Sequence, residues 1–267
     1  MTQPQTPPTA ASPERIQQAR VGVSYAIDGD LRFLSHHDEM RLLVRALTRA
    51  AWPLAYSQGF NPKPRIVLPL PRSTGMSSAC QLALVDLATE ANTARLQESL
   101  SAQLPRGAAL ERVFAFPRRV CPQARRVRYE VSLPPGTGDA VRLGIRSALA
   151  AKNLPIQRDT GPDSPARPVD LRGYIDILEF DGQMLHMNLL VENQQSARPL
   201  EVLSVLNLPV ESDAASVRRA HIQWNIALHE AASRLSSAER KPLDHEENHR
   251  EQTHATSAHE ENQEARA

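Results

Sequence analysis

The sequence has few of the residues on which compact metal and cofactor sites are usually built. It contains only two cysteines, Cys80 and Cys121, among 267 residues, which is too few for a disulfide framework or a sulfur-ligated cluster. It has no Gly-rich phosphate loop, no GxGxxG or GxSxG motif and no CxxC spacing. Because these motifs are local and hard to miss, their absence argues against the common nucleotide-binding, hydrolase and zinc-binding classes, and we expect no bound metal or cofactor.

Long hydrophobic runs are also missing. No window approaches 18 consecutive apolar residues, so the sequence predicts no membrane span. Residues 1–20 contain no apolar core resembling that of a signal peptide, which predicts a cytoplasmic protein with a disordered N-terminal segment. The apolar fraction of 41% is nevertheless large enough for a folded core.

Acidic residues are absent from one long stretch of a chain whose formal net charge is only +1. Residues 40–85 contain six cations and no Asp or Glu: Arg41, Arg45, Arg49, Lys63, Arg65 and Arg72. Residues 31–129 contain 15 Lys and Arg against 6 Asp and Glu, whereas residues 236–267 contain 4 basic and 8 acidic residues. A basic body of this kind indicates an anionic partner, and the acidic tail could screen the same surface.

Apolar periodicity predicts the same order of elements twice. The first half has predicted strands at residues 21–27, 65–70, 81–87 and 108–116, with helices at 36–51 and about 93–103. Residues 31–34 are expected to extend the first strand, and Ser35 and Asn92 or Thr93 to cap the helices. The second half has predicted strands at 127–133, 154–158, 170–180, 184–192 and 217–224, with helices at 139–151 and 199–206.

This order predicts an α+β fold made of two tandem ferredoxin-like βαββαβ units. The first unit covers residues 21–117 and the second covers 127–232, with a Pro/Arg segment at 117–126 between them. Residues 1–20 and 236–267 are predicted to be disordered tails, because neither has apolar periodicity.

The strongest candidate site is a basic surface in the first unit. Arg41, Arg45 and Arg49 follow one another at helical spacing and form a cationic stripe. Nearby side chains could complete a phosphate-binding groove with stacking rings and a base-reading amide: Arg32, Tyr56, Phe60, Asn61, Lys63 and Arg65. A second basic cluster follows at Arg112, Arg118, Arg119, Arg125, Arg126 and Arg128. The alternative is that these cations only solvate a helix face and a linker.

Histidines give a weaker signal. His36 and His37 begin the first helix beside Asp38, and a histidine oriented by that carboxylate could act as a general acid or base. Neighbouring residues on a helix point about 100° apart, so at most one of the two imidazoles would face a given site. His245 and His249 in the C-terminal tail could hold a metal weakly at i, i+4 spacing, but a solvated polar tail fits the composition better.

The residues of the first unit resemble a known bacterial family of unknown function. The runs GDLRFLSHHD, RxxxRALxRA and PLxYSxGFNPxP, followed by PLP, are similar to those of radical-SAM-linked proteins. That domain occurs fused to, or encoded beside, cobalamin-binding radical SAM proteins. The resemblance is specific over residues 29–71 and looser through DLRGYI, RPxEVL and Val217-Arg218-Arg219. The family pattern also implies a glutamate at the end of an SxxE motif, where this chain has Gln81.

The resemblance implies an accessory protein rather than the radical enzyme itself, since the chain has no cluster-binding cysteines. Our leading hypothesis is a non-catalytic protein that binds RNA, such as tRNA, or presents a substrate to a radical SAM partner. One alternative is an RNA- or nucleotide-modifying enzyme that uses His36 or His37. Another is a module that docks only on protein. The sequence leaves the oligomeric state open.

Overall fold

The computed structural model describes residues 18–159, 165–208, 216–226 and 228. The strands run in chain order as β1 (Ala19–Ile27), β2 (Ile66–Val67), β3 (Ser77–Leu87), β4 (Ala108–Ala115), β5 (Ala124–Ser132), β6 (Pro155–Arg158), β7 (Arg167–Asp170), β8 (Ile175–Phe180), β9 (Met184–Leu190) and β10 (Ser216–Trp224). The helices are α1 (His36–Arg49), α2 (Thr93–Ser101), α3 (Gly138–Ala150) and α4 (Pro199–Val205). Both predicted tails lie largely outside the described residues.

One eight-stranded sheet forms the centre of this mixed α/β fold. Seven strands follow the order β4-β1-β3-β10-β5-β9-β8, and β2 pairs with β3 beside this path. Strands from the two halves of the chain meet where β10 runs parallel to the start of β3, with Arg218 opposite Ser77 and Arg219 opposite Ser78. The remaining pairs of the sheet are antiparallel. Both halves therefore share a continuous hydrogen-bonded sheet.

Each half has its own apolar core between the sheet and two helices. In the first half, Val21 and Val23 of β1 alternate toward a core that includes Leu43 and Leu47 of α1 and residues of α2. This arrangement follows from the period of two in the strand and the i, i+4 spacing in the helix. In the second half, residues of β5 and β9 pack with α3 and α4 around a second cluster that includes Val131, Leu185, Val141, Val202 and Leu203.

The first half of the sheet also has an apolar patch on the face opposite α1 and α2. Leu82, Leu84, Phe114 and Phe116 are buried there. The partly buried Trp224, at the end of β10, packs against them together with Ile226 and Leu228 after the strand. Gly22 lies beneath the Phe114 ring, and a Cβ atom at this position would come within 2.5 Å of the ring. The chain after β10 thus returns to cover the sheet of the first half.

Three predicted strand assignments were wrong in detail. Residues 31–34 do not extend β1, because Gly29–Phe33 form a 3₁₀ turn that Asp28 caps by accepting a hydrogen bond from the Gly29 N–H. The strand predicted at 65–70 is only Ile66–Val67. The strand predicted at 170–180 is divided, since β7 pairs with β6 in a separate two-stranded ribbon and β8 begins at Ile175.

Helix starts were predicted more accurately. The Ser35 side chain caps α1 by accepting a hydrogen bond from the Asp38 N–H, and Asn92 caps α2 through its side-chain oxygen. None of the helices in the described part of the chain has the length and apolarity needed to cross a bilayer.

Candidate functional site

A hairpin of residues 54–67 carries several of the predicted binding residues. It is fixed to the end of β3 by backbone hydrogen bonds from the Ala55 N–H to the Asp86 carbonyl and from the Asp86 N–H to the Arg65 carbonyl, both 2.9 Å. Its neck is closed by a Tyr56–Pro64 bridge and a 2.9 Å bond from the Ser57 N–H to the Lys63 carbonyl. Residues 56–63 are all exposed, and we call them the tip of the hairpin.

The tip exposes the side chains that were predicted to contact a base. Phe60 is fully exposed, and Tyr56 is about half exposed. Asn61 and Lys63 are exposed as well. An exposed phenylalanine contributes nothing to a core, and single exposed apolar residues are common. Two rings beside a free amide and a cation nevertheless give this tip the chemistry of a stacking surface.

The three arginines of the α1 stripe are all exposed, as predicted. Arg41 forms an ion pair of 3.0 Å with Asp38, one turn earlier. Arg49 donates to both the backbone and the side-chain oxygen of Gln103, at 2.7 Å and 3.2 Å. Within the described residues, Arg45 has no carboxylate partner. The apolar face of the helix is buried and the stripe faces solvent, which leaves Arg45 and Arg49 uncompensated by acids.

The structure reduces the charge imbalance of residues 40–85. Three of its six cations pair with acids that lie just outside that window: Arg41 with Asp38 at 3.0 Å, Arg65 with Asp86 at 3.6 Å, and Arg72 with Glu39 at 3.0 Å. The side chain of Arg72 is moreover fully buried, so it cannot contact a ligand bound at the protein surface. The uncompensated cations of the window are therefore Arg45, Arg49 and Lys63, at least against the carboxylates of the described residues.

The predicted binding residues are distributed along α1 and the hairpin that follows it. The helix has 14 residues and is therefore about 21 Å long. Arg45, Arg49 and the hairpin lie toward its C-terminal end, where Leu54 bridges to Leu87; we call this the hairpin end. Arg32 and Arg41 lie toward its N-terminal end, together with His36 and His37; we call this the histidine end. Arg32 stacks on Phe33 there, 4.7 Å from the ring centroid.

Asp38 does not orient a histidine, so this part of the catalytic hypothesis was wrong. Its carboxylate accepts a 2.6 Å hydrogen bond from the Ser35 hydroxyl and pairs with Arg41. The Ser35 hydrogen bond and the Arg41 charge lower the pKa of Asp38 from its usual value, which keeps it ionised. His36 and His37 are both exposed, with ring centroids 5.6 Å apart. The physical reason is that the side chains of consecutive residues 36–38 project from the helix in different directions, so the Asp38 carboxylate does not point toward either imidazole.

A buried polar network that the sequence did not predict lies behind the histidine end. The Glu39 carboxylate accepts 2.8 Å hydrogen bonds from the Tyr25 hydroxyl and the Gln81 amide, and it pairs with Arg72. Burial and the negative charge of Glu39 raise the pKa of Tyr25 well above its usual value, so the phenol remains a donor. The alternation of β1 and β3 could have indicated that Tyr25 and Gln81 point inward, but the spacing of Glu39 on α1 carries no such signal.

Arg72 fixes the shape of the loop before α1. Its guanidinium donates to the carbonyls of Leu31 and Leu34, at 2.9 Å and 3.1 Å, and to that of Arg32. It also reaches the Met76 carbonyl at 3.0 Å. Arg72, which the charge count along the sequence treated as a surface cation, is therefore a buried structural residue. It holds the 3₁₀ turn against the start of β3.

Gln81 occupies the position at which the family pattern implies glutamate. Its amide nitrogen donates to Glu39, and its oxygen accepts a 2.9 Å hydrogen bond from Arg219 of β10. Arg219 also donates to the carbonyls of Leu70 and Pro71, each at 2.9 Å. An amide can donate and accept at once, whereas a carboxylate only accepts. Gln81 thus links the buried ion pair of the first half to the last strand of the second.

Two of the six arginines of the second basic cluster pair with carboxylates of the described residues. Arg126 pairs with Asp176 at 3.1 Å, and Arg128 lies 3.9 Å from Glu130. Arg112 lies over the Phe114 ring at 4.6 Å. The remaining members of the cluster are exposed: Arg118, Arg119 and Arg125. The weak metal site considered at His245 and His249 falls outside the described residues.

Comparisons with known proteins identify a family but no activity. No curated protein matches the chain. One similar solved structure is the crystal structure of an unknown protein from Galdieria sulphuraria, with 13% identity, a TM-score of 0.23, and coverage of 79% of this chain and 100% of that chain. The sequence profile of a family of uncharacterised proteins conserved in bacteria, DUF2344, matches residues 20–202. The chain therefore belongs to the DUF2344 family of bacterial proteins.

Proposed function

We propose that this protein is a non-catalytic accessory module that binds RNA at the hairpin end and presents it to a radical SAM partner. The observation that carries the proposal is the combination of three cations with two exposed rings. Arg45, Arg49 and Lys63 have no carboxylate partner among the described residues, and the rings of Tyr56 and Phe60 are exposed. Cations follow the phosphate backbone, and aromatic faces stack on unpaired bases, so the two features together suit single-stranded or looped RNA.

The order of the strands supports tandem ferredoxin-like units as the architecture of this module. In the first half the strands lie in the order β4-β1-β3-β2, and in the second half they lie in the order β10-β5-β9-β8. When β6 and β7 are left aside and the strands of each half are numbered from one to four, both halves have the order 4-1-3-2. The β6–β7 ribbon is then an addition to the second unit. The hairpin tip would be an elaboration of the loop between α1 and β2 in the first unit.

Salt dependence of RNA binding tests the proposal. We expect the full chain to bind a tRNA or a structured RNA in a fluorescence anisotropy titration, with an affinity that falls steeply as the salt concentration rises. Replacing Arg45 and Arg49 by alanine should reduce the slope of log K against log salt by about one to two. Absence of binding at low salt, or a slope unchanged by the double substitution, would refute the proposal.

A matched control is available on α3. Arg142 and Arg146 are also exposed arginines one turn apart on a surface helix, but they lie in the second half of the chain. Their replacement by alanine removes the same formal charge as the substitution of Arg45 and Arg49. If both double variants weaken RNA binding equally, the effect is one of net charge, and the assignment to the hairpin end is wrong.

The exposed ring of Phe60 gives an independent test. Its replacement by alanine should weaken RNA binding by about 1–3 kcal/mol, the usual range for loss of one base–aromatic stack, without changing stability. Leu143, an exposed apolar residue of α3, is the control. An unchanged affinity of the Phe60→Ala protein would remove stacking from the proposal.

The partnership with a radical SAM protein rests on the family resemblance and is tested separately. The affinity-tagged protein should retain a radical SAM protein from its native cell extract after nuclease treatment. If the association disappears with nuclease, RNA bridges the two proteins, and direct docking is refuted.

A catalytic role has less support than binding. His36 and His37 lack the orienting carboxylate that the sequence suggested, since Asp38 is engaged by Ser35 and Arg41.

A further inference from the structure

Three charged residues lie side by side on the face of the sheet opposite α1 and α2, at the base of the hairpin. Arg20 of β1 is directly opposite Asp86 of β3. Arg65 flanks Asp86 on the other side, because Ile66 is opposite Val85 and the Asp86 N–H donates to the Arg65 carbonyl. Residues directly opposite each other on neighbouring strands share a face of the sheet. The row Arg20–Asp86–Arg65 therefore crosses three strands, and only Arg65 belonged to the predicted binding set.

The carboxylate of this row is divided between the two arginines. Asp86 Oδ1 lies 2.6 Å from Arg20 Nε, and Oδ2 lies 3.6 Å from Arg65 Nε. The side chain of Asp86 is only 5% exposed, whereas that of Arg20 is 17% and that of Arg65 is 51% exposed. The carboxylate is thus a buried support, and the guanidinium of Arg65 reaches the surface.

Because both arginines contact Asp86 through Nε, the terminal nitrogens form no hydrogen bond with this carboxylate. Arg20 uses one of them in a long 3.4 Å contact with the Val120 carbonyl. Among the described residues, Arg65 contacts no second carboxylate. One carboxylate between two arginines leaves a net charge of +1 in the row. The row is therefore a preorganised cationic site rather than a neutral pair.

The spacing of the row suits a phosphate group. The Cα atoms of Arg20 and Arg65 are two strand spacings apart, or about 10 Å, and both side chains converge on the carboxylate between them. Arginine presents paired N–H groups that match phosphate oxygens, and a guanidinium held in place loses less entropy on binding. Lys63, two residues before Arg65 in the hairpin, lies on the same side of that extended segment.

We propose that Arg20 and Arg65, positioned by Asp86, form a phosphate-binding site that holds one phosphodiester of a bound nucleic acid at the hairpin end. The identity of the ligand as nucleic acid rests on the proposed function, whereas the affinity for phosphate depends only on the row. Asp86 acts as a positioning residue, since it fixes the two guanidiniums without contacting the phosphate. The site lies at the base of the hairpin whose tip carries the exposed Phe60.

The first test measures phosphate without RNA. In the full chain labelled with ¹⁵N-arginine, the Nε–H resonances of Arg20 and Arg65 should shift together and saturate as dimethyl phosphate or inorganic phosphate is added. Arg126, which also pairs with a carboxylate through Nε and is 43% exposed, should not shift at the same ionic strength. Equal shifts at all three residues, or no saturable shift at Arg20 and Arg65, would refute the site.

The second test uses RNA and a variant that leaves the support intact. Arg65→Gln keeps the Arg20–Asp86 pair, so the fold should be preserved, and the salt slope of RNA binding should fall by about one. Arg65→Lys should restore the slope more than the affinity, because lysine keeps the charge but loses the paired N–H groups. Arg126→Gln is the matched control and should leave both quantities unchanged. Unaltered RNA binding by Arg65→Gln would refute the site.

The source of the phosphate is distinguished by the RNA itself. Removing a terminal phosphate should not change the affinity, whereas a neutral methylphosphonate at one internal position should weaken the wild-type protein and leave Arg65→Gln unaffected. Dependence on the terminal group instead would overturn the assignment to a phosphodiester.

These outcomes separate the two proposals. Saturable phosphate shifts without any RNA binding would refute the proposed function and retain the site. RNA binding that depends on Arg45 and Arg49 but not on Arg65 would retain the function and refute the site.

Discussion

The buried pair of Glu39 and Arg72 should be the most sensitive point of the first half. Glu39→Ala removes the carboxylate that pairs with Arg72 at 3.0 Å and accepts 2.8 Å hydrogen bonds from Tyr25 and Gln81. The side chains of the pair are 2% and 0% exposed, so water cannot replace the lost partner without local opening. The substitution leaves one guanidinium without its counter-ion and two donors without an acceptor.

The expected loss follows from the cost of an unpaired buried charge. Removing one partner of a buried ion pair typically costs about 3–5 kcal/mol. The carbonyls that still accept from Arg72 keep its guanidinium solvated by dipoles, which argues against a larger value. The two orphaned donors add to the cost, but not in full, because neighbouring groups do not contribute additively. We therefore predict a decrease of about 3–5 kcal/mol in the free energy of unfolding, a large part of the stability of an ordinary domain.

Urea denaturation followed by circular dichroism measures this quantity, provided that the m-value is unchanged. Asp139→Ala is a suitable control, because it breaks a 3.5 Å ion pair with Arg142 on the surface of α3. An exposed pair of this kind contributes about 0–1 kcal/mol. If Glu39→Ala lowers the free energy of unfolding no more than Asp139→Ala does, Glu39 and Arg72 do not form a buried ion pair that excludes water.

Three further predictions concern other parts of the molecule. Gly22→Ala should lower the free energy of unfolding by about 1–3 kcal/mol through overpacking against the Phe114 ring, and Phe114→Leu should reduce that penalty in a denaturation double-mutant cycle. Backbone N–H groups of the β8–β9 turn lower the pKa of Asp181 to about 2. The ionised carboxylate therefore stabilises the fold above pH 3.8, the ordinary pKa of the group, and this stabilisation is lost as the pH falls toward 2. An NMR titration of the carboxyl group with a midpoint near pH 3.8 would contradict this prediction. Burial raises the pKa of the Cys80 thiol, so the exposed Cys121 should react with a thiol reagent much faster at pH 8, and equal rates in the native protein would show that Cys80 is accessible.

Local patterns predicted the elements whose signals are themselves local. The apolar spacing of α1 and the capping residue Ser35 specify where this helix begins, and both are contained within a few residues of sequence. The alternation from residue 217 to 224 likewise predicted β10. The 3₁₀ turn at Gly29–Phe33 was missed because it depends on Arg72, about 40 residues later, whose guanidinium binds its carbonyls.

Charge counting along the chain failed for a related reason. A window that contains no acids can still be neutralised by acids beyond its borders, and Glu39 and Asp86 lie one residue outside the two borders of residues 40–85. Strand pairing then brings Arg20 to Asp86 from 66 residues away. No count over neighbouring residues can reveal such a pair, because it is created by the register of β1 and β3.

The two ends of α1 use arginine in opposite ways, and this difference favours the hairpin end as the place where a ligand binds. At the histidine end, Arg72 is buried, faces backbone carbonyls and Glu39, and has no surface left for a partner. At the hairpin end, Asp86 is buried instead, and the guanidinium of Arg65 projects from it toward solvent. A buried cation supports a loop, whereas a buried anion beneath exposed cations holds those cations in position for an anionic ligand. The same residue type therefore serves the fold at one end of the helix and is available for recognition at the other.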